Sequence, residues 1–127
     1  MDNMDANSLY QTSETNSWIS PTMGLQSSNM RVISKKTLIA FWENHSDSEQ
    51  ALRAWYDEAV GAHWQMPNEI KAQFKSASIV GKNRVVFNIA GNKYRLIVAI
   101  AYQFGAIYIK FVGTHQEYDK VNVLTVG

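Results

Sequence analysis

His115, Tyr118 and Asp119 fall within five positions of one another near the end of a 127-residue chain, and Lys93 and Arg95 stand earlier in the same half. An imidazole takes up or gives out a proton near neutral pH. A phenol hydrogen-bonds a phosphate oxygen, or donates its proton where cations surround it, and a carboxylate can orient a neighbouring imidazole. Arginine presents a planar fork of donors that matches phosphate oxygens, and lysine adds a compact positive charge. This combination suits phosphodiester chemistry on RNA, whose ribose 2′-OH is a built-in nucleophile. A base removes its proton, cations stabilise the charge that develops at phosphorus, and an acid protonates the leaving oxygen. Each group also has a plainer reading. His115 can be a hydrogen-bonded surface residue, Tyr118 an anchor for a turn, and Asp119 a helix cap or the partner of Lys120.

The stretch that must position these groups runs from Lys82 to Asp119. From Arg84 the apolar pattern has a period of two: Val85, Phe87 and Ile89 face one way, and Arg84, Val86, Asn88 and Ala90 the other. Gly91-Asn92 is a two-residue hairpin signal. A tight turn there sets Ala90 against Lys93, Asn88 against Arg95, Val86 against Ile97 and Arg84 against Ala99. Opposed residues share a face, so Arg84, Asn88, Lys93 and Arg95 gather on one side. A second reversal at Phe104-Gly105 would set Val98 against Phe111, Ala99 against Lys110, Ala101 against Tyr108 and Arg95 against Thr114. The expected result is three antiparallel strands with an apolar face and a cationic one, and His115, Tyr118 and Asp119 just past the last strand. Lys82, Arg84, Asn88, Lys110 and Tyr108 are the candidate RNA-binding residues, since basic groups and an aromatic ring suit single-stranded RNA whose bases can stack.

The apolar face needs a cover, and the preceding residues can supply it. Met30–Ile33 reads as a short strand. Ser34 can cap a helix carrying Leu38, Ile39, Phe41 and Trp42. Ser46 and Glu49 have the spacing of a capping box ahead of a second helix with a stripe of Leu52, Trp55, Tyr56, Ala59 and Val60, and Gly61 is placed to end it in the left-handed conformation. Pro67 suits the first position of a shorter helical segment containing Ile70 and Phe74. Two N-terminal helices packed on one face of a small antiparallel sheet make an α+β fold. Trp42, Trp55 and Trp64 are expected in or beside the core, and His45 and His63 are expected to be structural. Val121–Val126 is either a last strand or an irregular end.

Composition narrows the classes. The formal charge is only +1, but residues 1–29 hold Asp2, Asp5 and Glu14 and no Lys or Arg. The remaining residues therefore carry 12 basic against 8 acidic side chains, and between Glu69 and Glu117 there is no acidic residue at all. A one-sign interval of this kind points to a polyanionic partner. Cysteine is absent, which excludes disulfides and thiolate metal sites and agrees with a reducing, cytoplasmic compartment. No apolar run approaches membrane-spanning length. The carboxylates near His115 complete no known ligand spacing, so no metal and no cofactor are expected. Residues 1–29, rich in Ser, Asn and Thr, read as a disordered extension, and 30–127 as the functional domain, with Met30 a candidate start. A non-catalytic RNA- or protein-binding module using the same basic face is the competing reading.

Three phrases, RVISKKTLIAF, VVFNIAGNKYRLI and IKFVGTHQEYDK, resemble the HigB-type toxins of bacterial type II toxin–antitoxin systems in order and spacing from Met30 to Val121. The pairing of F-N-x-x-G-N-x-Y-R with T-H-x-E-Y-D carries the resemblance. It implies a RelE-like fold and an mRNA interferase: a metal-independent endoribonuclease acting by 2′-OH attack, usually on the translating ribosome. It also implies inhibition by a HigA-type helix-turn-helix antitoxin, and contact with operator DNA only through that complex. Carried over by motif position, the active residues would be Lys93, Arg95, His115, Tyr118 and Asp119, with Asn88 in support. Relatives of this type start near Met30, so residues 1–29 are a departure from the pattern.

Overall fold

Branched and aromatic residues at every second position form the sheet, and the faces they create decide where the helices go. The structure, a computed structural model, describes residues 29–81 and 83–127. The expectations for the N-terminal extension and for Lys82 lie outside the described residues, apart from Asn29. Strand β1 (Arg31–Ile33) leads into helix α1 (Lys35–Asn44), a single 3-10 turn (Ser46–Ser48), α2 (Glu49–Val60) and α3 (Pro67–Gln73). Strands β2 (Ser78–Val80), β3 (Arg84–Ile89), β4 (Tyr94–Ala101) and β5 (Ala106–Thr114) follow, and the one-turn helix α4 (His115–Tyr118) comes after β5.

The fold is α+β, as expected, with the helices supplying the cover for one sheet face. Leu38 and Trp42 of α1, Leu52, Trp55 and Ala59 of α2, and Ile70 of α3 share one core with Val85, Phe87, Ile89, Leu96, Val98, Ile100 and Ile107. Phe87 is its aromatic hub, with ring centroids 5.4 Å from Trp55, 5.0 Å from Phe74 and 6.3 Å from Trp64. The strand order is β1-β5-β4-β3-β2. Neighbours are antiparallel except β1, which runs parallel to β5 through Arg31↔Ala106 and Ile33↔Tyr108, so the sheet gains a parallel edge strand that local patterning does not announce.

The first hairpin has the register derived from the sequence: Asn88↔Arg95, Val86↔Ile97 and Arg84↔Ala99. Its turn differs in detail, since φ is positive at Ala90 and Gly91 rather than at Asn92. The second hairpin is corrected. It closes at Ala101↔Ala106 across a 3-10 turn (Tyr102–Phe104) and a left-handed Gly105, so Ala99 opposes Tyr108 and Val98 opposes Ile109. A bulge then inserts Lys110, and beyond it Ile97 opposes Phe111 and Arg95 opposes Gly113. One extra residue exchanges the faces of everything that follows. Phe111 therefore lies on the side of Ile97, and Val112 packs on the core.

Two helix signals also resolve differently. Ser46 and Glu49 form no capping box; the 3-10 turn takes up Ser46, and the Glu49 carboxylate accepts from Arg53 Nε instead. Gly61 ends α2 at φ −83°, a right-handed conformation open to other residues. Pro67 does occupy the first turn of α3, where its missing N–H costs nothing.

The second sheet face is closed at its centre, with Val86 and Ile97 both buried. The C-terminal stretch after α4 is laid against Gly81, Arg84 and Lys110. Arg84 Nη1 donates to the carbonyls of Val123 (3.1 Å) and Val126 (2.7 Å), and Leu124 Cδ2 lies 2.9 Å from where a Cβ on Gly81 would be. The tail is thus a strap of turns laid over the sheet, neither a sixth strand nor a loose end.

Candidate active site at the open end of the sheet

The end of the sheet left uncovered by that strap is where β4 begins and β5 ends, paired through Tyr94↔Thr114 and Arg95↔Gly113. Thr114 stops β5 because its side chain starts a helix. Thr114 Oγ1 accepts from the Glu117 N–H at 3.1 Å, and Glu117 Oε1 accepts from the Thr114 N–H at 2.8 Å. This reciprocal capping box nucleates the single turn of α4. The T-x-x-E spacing within T-H-x-E-Y-D is the local sequence signal for it. His115 N–H also donates to Lys93 O at 3.1 Å, which ties the start of α4 to the residue before β4.

A helical turn places positions three and four apart on one side. His115, Tyr118 and Asp119 are so related. His115 Nδ1 lies 3.6 Å from Asp119 Oδ2, and both side chains are more than half exposed. The Arg95 guanidinium stands over the Tyr118 ring, 5.6 Å from its centroid, and donates from Nη1 to the carbonyls of Asn92 (3.0 Å) and Tyr94 (3.3 Å). Those bonds and the ring hold Arg95 in place. Opposite Arg95 is Gly113, where a Cβ would meet Phe111 Cζ at 2.5 Å and Glu117 Oε1 at 2.8 Å, so a side chain there would have to displace the Phe111 ring and the capping carboxylate. The bulge at Lys110 brings this glycine to the position, and the Phe111 ring fills the space beside it.

Lys93 reaches toward α2 rather than along the sheet. Its Nζ forms an ion pair with Asp47 Oδ2, and the Tyr94 phenol donates to the other oxygen, Oδ1. The hydrogen bond from Lys93, then that from Tyr94, hold the Asp47 carboxyl below its ordinary value of 3.8; the same contacts raise Lys93 and Tyr94 above theirs. Tyr94 is itself wedged edge-on against Phe41 and His45, whose rings stack 4.1 Å apart. His45 is therefore structural, as expected, whereas Asp47 is a member of the site that sequence reasoning missed. No local spacing links it to Lys93.

The structure brings Arg95, His115, Tyr118 and Asp119 to one corner, with Lys93 at its edge and Asn88 paired with Arg95. The remaining candidates are elsewhere. Arg84 is engaged with the C-terminal carbonyls. Tyr108 is exposed, with Lys110 Nζ 5.7 Å over its ring, at the bulge farther along β5. Among the described residues no three His, Asp or Glu side chains gather into a metal-binding group, and no helix is long and apolar enough to cross a membrane. The corner can bind an anion through Arg95 and exchange a proton through His115, with the Tyr118 ring beside the guanidinium.

Comparison with known proteins bears on this corner. The HigB toxin family, described as the RelE-like toxic component of a toxin–antitoxin system, matches residues 48–121, which takes in β2 to β5, α4 and every residue of the corner except Asp47. The mRNA interferase toxin HigB of Escherichia coli (strain K12) is 28% identical over 92 residues, covering 71% of this chain and 88% of that protein. The mRNA interferases HigB of Escherichia coli O157:H7 and Shigella flexneri match to the same extent.

Proposed function

This chain belongs to the HigB toxin family, the RelE-like toxic component of a toxin–antitoxin system, and on that premise we propose that it is an endoribonuclease that cleaves mRNA, without a metal, on the translating ribosome in the cytoplasm. The observation that carries the reading is the corner itself: an arginine held over a tyrosine ring, on the same helical turn as a histidine and a carboxylate. RNA brings its own nucleophile, so the protein has only to move protons and stabilise charge.

In this mechanism Arg95 and Lys93 bind the scissile phosphate and stabilise the charge that builds on its oxygens as the 2′-oxygen attacks. Tyr118, beneath the Arg95 guanidinium, contacts the same phosphate. His115 exchanges one proton, as acid to the 5′-oxygen or as base to the 2′-OH, solvent carries the other, and Asp119 orients His115. Bond formation at the 2′-oxygen and departure of the 5′-oxygen leave a cyclic phosphate and a free 5′-hydroxyl. Asn88 supports Arg95 from the neighbouring strand. Lys82, Lys110 and Tyr108 extend the RNA track by backbone contact and stacking. The guanidinium of Arg84 serves the tail, and its part in RNA binding is indirect. A HigA-type helix-turn-helix antitoxin inhibits the toxin and links it to operator DNA.

The test is induction of the Arg95→Ala variant in a bacterial host, with growth and mRNA 5′ ends followed together by primer extension. The wild type arrests growth and produces new transcript ends, and the variant does neither while its thermal unfolding is unchanged. Growth arrest by a folded Arg95→Ala protein refutes the role. Arrest by the wild type without new transcript ends would favour a non-catalytic binding module.

A further inference from the structure

We propose that Asp47 is a positioning residue of the ribonuclease site, an anchor that fixes the Lys93 ammonium at the edge of the corner. The inference rests on the ribonuclease reading and adds to it a residue from outside the stretch that matches the family.

The anchor is built from the inside out. Ser48, fully buried, donates from Oγ to His45 O at 2.7 Å and holds the 3-10 turn (Ser46–Ser48) against α1. Asp47 projects from the middle of that turn. Both of its oxygens are engaged, Oδ1 by the Tyr94 phenol and Oδ2 by Lys93. Tyr94 is almost wholly buried and braced by Phe41 and His45, so it has one place to put its hydroxyl. The carboxylate is thereby held on one oxygen by a hydroxyl that cannot move far, and through the other it holds a side chain that otherwise can. A lysine has four rotatable carbons and a large rotamer entropy, and an unpinned one loses it when it meets a phosphate. Pinning it beforehand places its charge where it is needed.

The position pinned is relevant to the chemistry. Lys93 O accepts from His115 N–H, so the residue held by Asp47 is the one that fixes the start of α4. Lys93 is charged at neutral pH with or without Asp47, so what the anchor adds is position, which suits Lys93 to charge stabilisation and leaves proton exchange to His115. The anchoring carboxylate is partly exposed, with its side chain at 49% of full accessibility, so a substitution there leaves the core packing alone.

The experiment compares wild type, Asp47→Asn, Lys93→Ala and the double variant as purified full chains. Cleavage of mRNA in translating ribosome complexes is followed at saturating and at limiting toxin. Asp47→Asn is expected to slow the saturated rate about fivefold to tenfold, in the range of coupling between directly contacting residues. The half-saturating concentration should change by less than about twofold, since the surface electrostatics of binding change little. Added to Lys93→Ala, it should slow cleavage no further. Tyr94→Phe, which removes only the phenolic hydroxyl, should give a smaller loss in the same direction. The inference is overturned if Asp47→Asn cleaves at the wild-type rate or faster, if it changes only half-saturation, or if it slows the Lys93→Ala protein by the same factor. A wild type that leaves mRNA intact in this assay removes the ribonuclease reading and this inference with it. A fast Lys93→Ala protein beside an active wild type removes the role of Lys93 and this inference with it, and leaves the ribonuclease reading in place. A slow Lys93→Ala beside a fast Asp47→Asn removes this inference alone.

Discussion

Substituting Thr114 by alanine should cut the activity while leaving the fold standing. The side chain removed accepts the Glu117 N–H at 3.1 Å, one half of the capping box that starts α4. An N-cap residue replaced by alanine costs about 1 kcal/mol, roughly a fivefold shift in the equilibrium between helical and frayed turn at 25 °C. A longer helix would absorb that loss, because propagation beyond the cap sustains it. α4 has a single turn, four residues with no interior, so the cap and the His115 N–H bond to Lys93 O are what fix its start. Activity requires the turn, because it is what puts His115, Tyr118 and Asp119 on one side. The rate of mRNA cleavage should therefore fall by up to about fivefold, the full shift in turn population. Thr114→Ser, which keeps the hydroxyl, should retain the wild-type rate. Thermal unfolding should hardly move, since α4 contributes no residue to the buried core. Amide hydrogen exchange at Glu117 and Asp119 reads the turn directly and should quicken in Thr114→Ala. Unchanged exchange together with an unchanged rate would refute the idea that the cap positions the corner, and a large fall in Tm would show that Thr114 supports the fold instead.

Phe87→Ala should destabilise the protein by about 3–5 kcal/mol, because it empties the hub of the aromatic core, and urea denaturation measures it. Arg84→Ala should release the C-terminal strap from the sheet, seen as faster carboxypeptidase trimming and faster amide exchange over residues 121–127. Cleavage by untrimmed Arg84→Ala protein should persist, and its loss would restore Arg84 to the RNA-binding set. The Asp47 network should give a defined pH response. Asp47 is lowered below 3.8 in the folded protein, so its contribution is present above that value and is lost as pH falls through the folded value; Lys93 and Tyr94 are raised above 10.5 and 10.0, so theirs is present below pH 10 and lost as pH rises through their folded values. The stability deficit of Asp47→Asn should accordingly be flat between about pH 5 and 9 and disappear in acid, as measured by urea midpoints across pH.

Local patterning was enough to reach much of this molecule. Alternation sorted Val85, Phe87 and Ile89 from Arg84, Val86 and Asn88, because side chains along a strand point to opposite faces whatever lies beyond it. The close spacing of the two strands around Gly91-Asn92 set the first register, and helical periodicity placed Leu38, Trp42, Leu52 and Trp55 against the sheet. The nearness of His115, Tyr118 and Asp119 needed only one turn of helix. The cationic interval from Lys71 to Lys110 was equally plain, but its open face was not what alternation suggested. Val86 and Ile97 are buried, and Arg84 meets the chain's own C-terminal carbonyls, a contact set by the path of the tail.

What only contacts across the fold decided has a common cause: each such feature joins residues far apart in the chain through contacts that leave no period behind. β1 pairs in parallel with β5, more than seventy residues on, through backbone groups that every sequence has. The bulge at Lys110 arises where the strand bends and twists, and it puts Gly113 rather than Thr114 opposite Arg95. Asp47, from the turn between two helices, supplies the carboxylate partner that the acid-free interval lacks around Lys93. Residue types and local spacing settled which residues could do the chemistry and which face the helices would cover, since both follow from neighbours within a strand or a turn. Which cations remain open to RNA, and what holds them, was decided by chain crossings over the sheet, because a side chain's partner is set by where the backbone arrives.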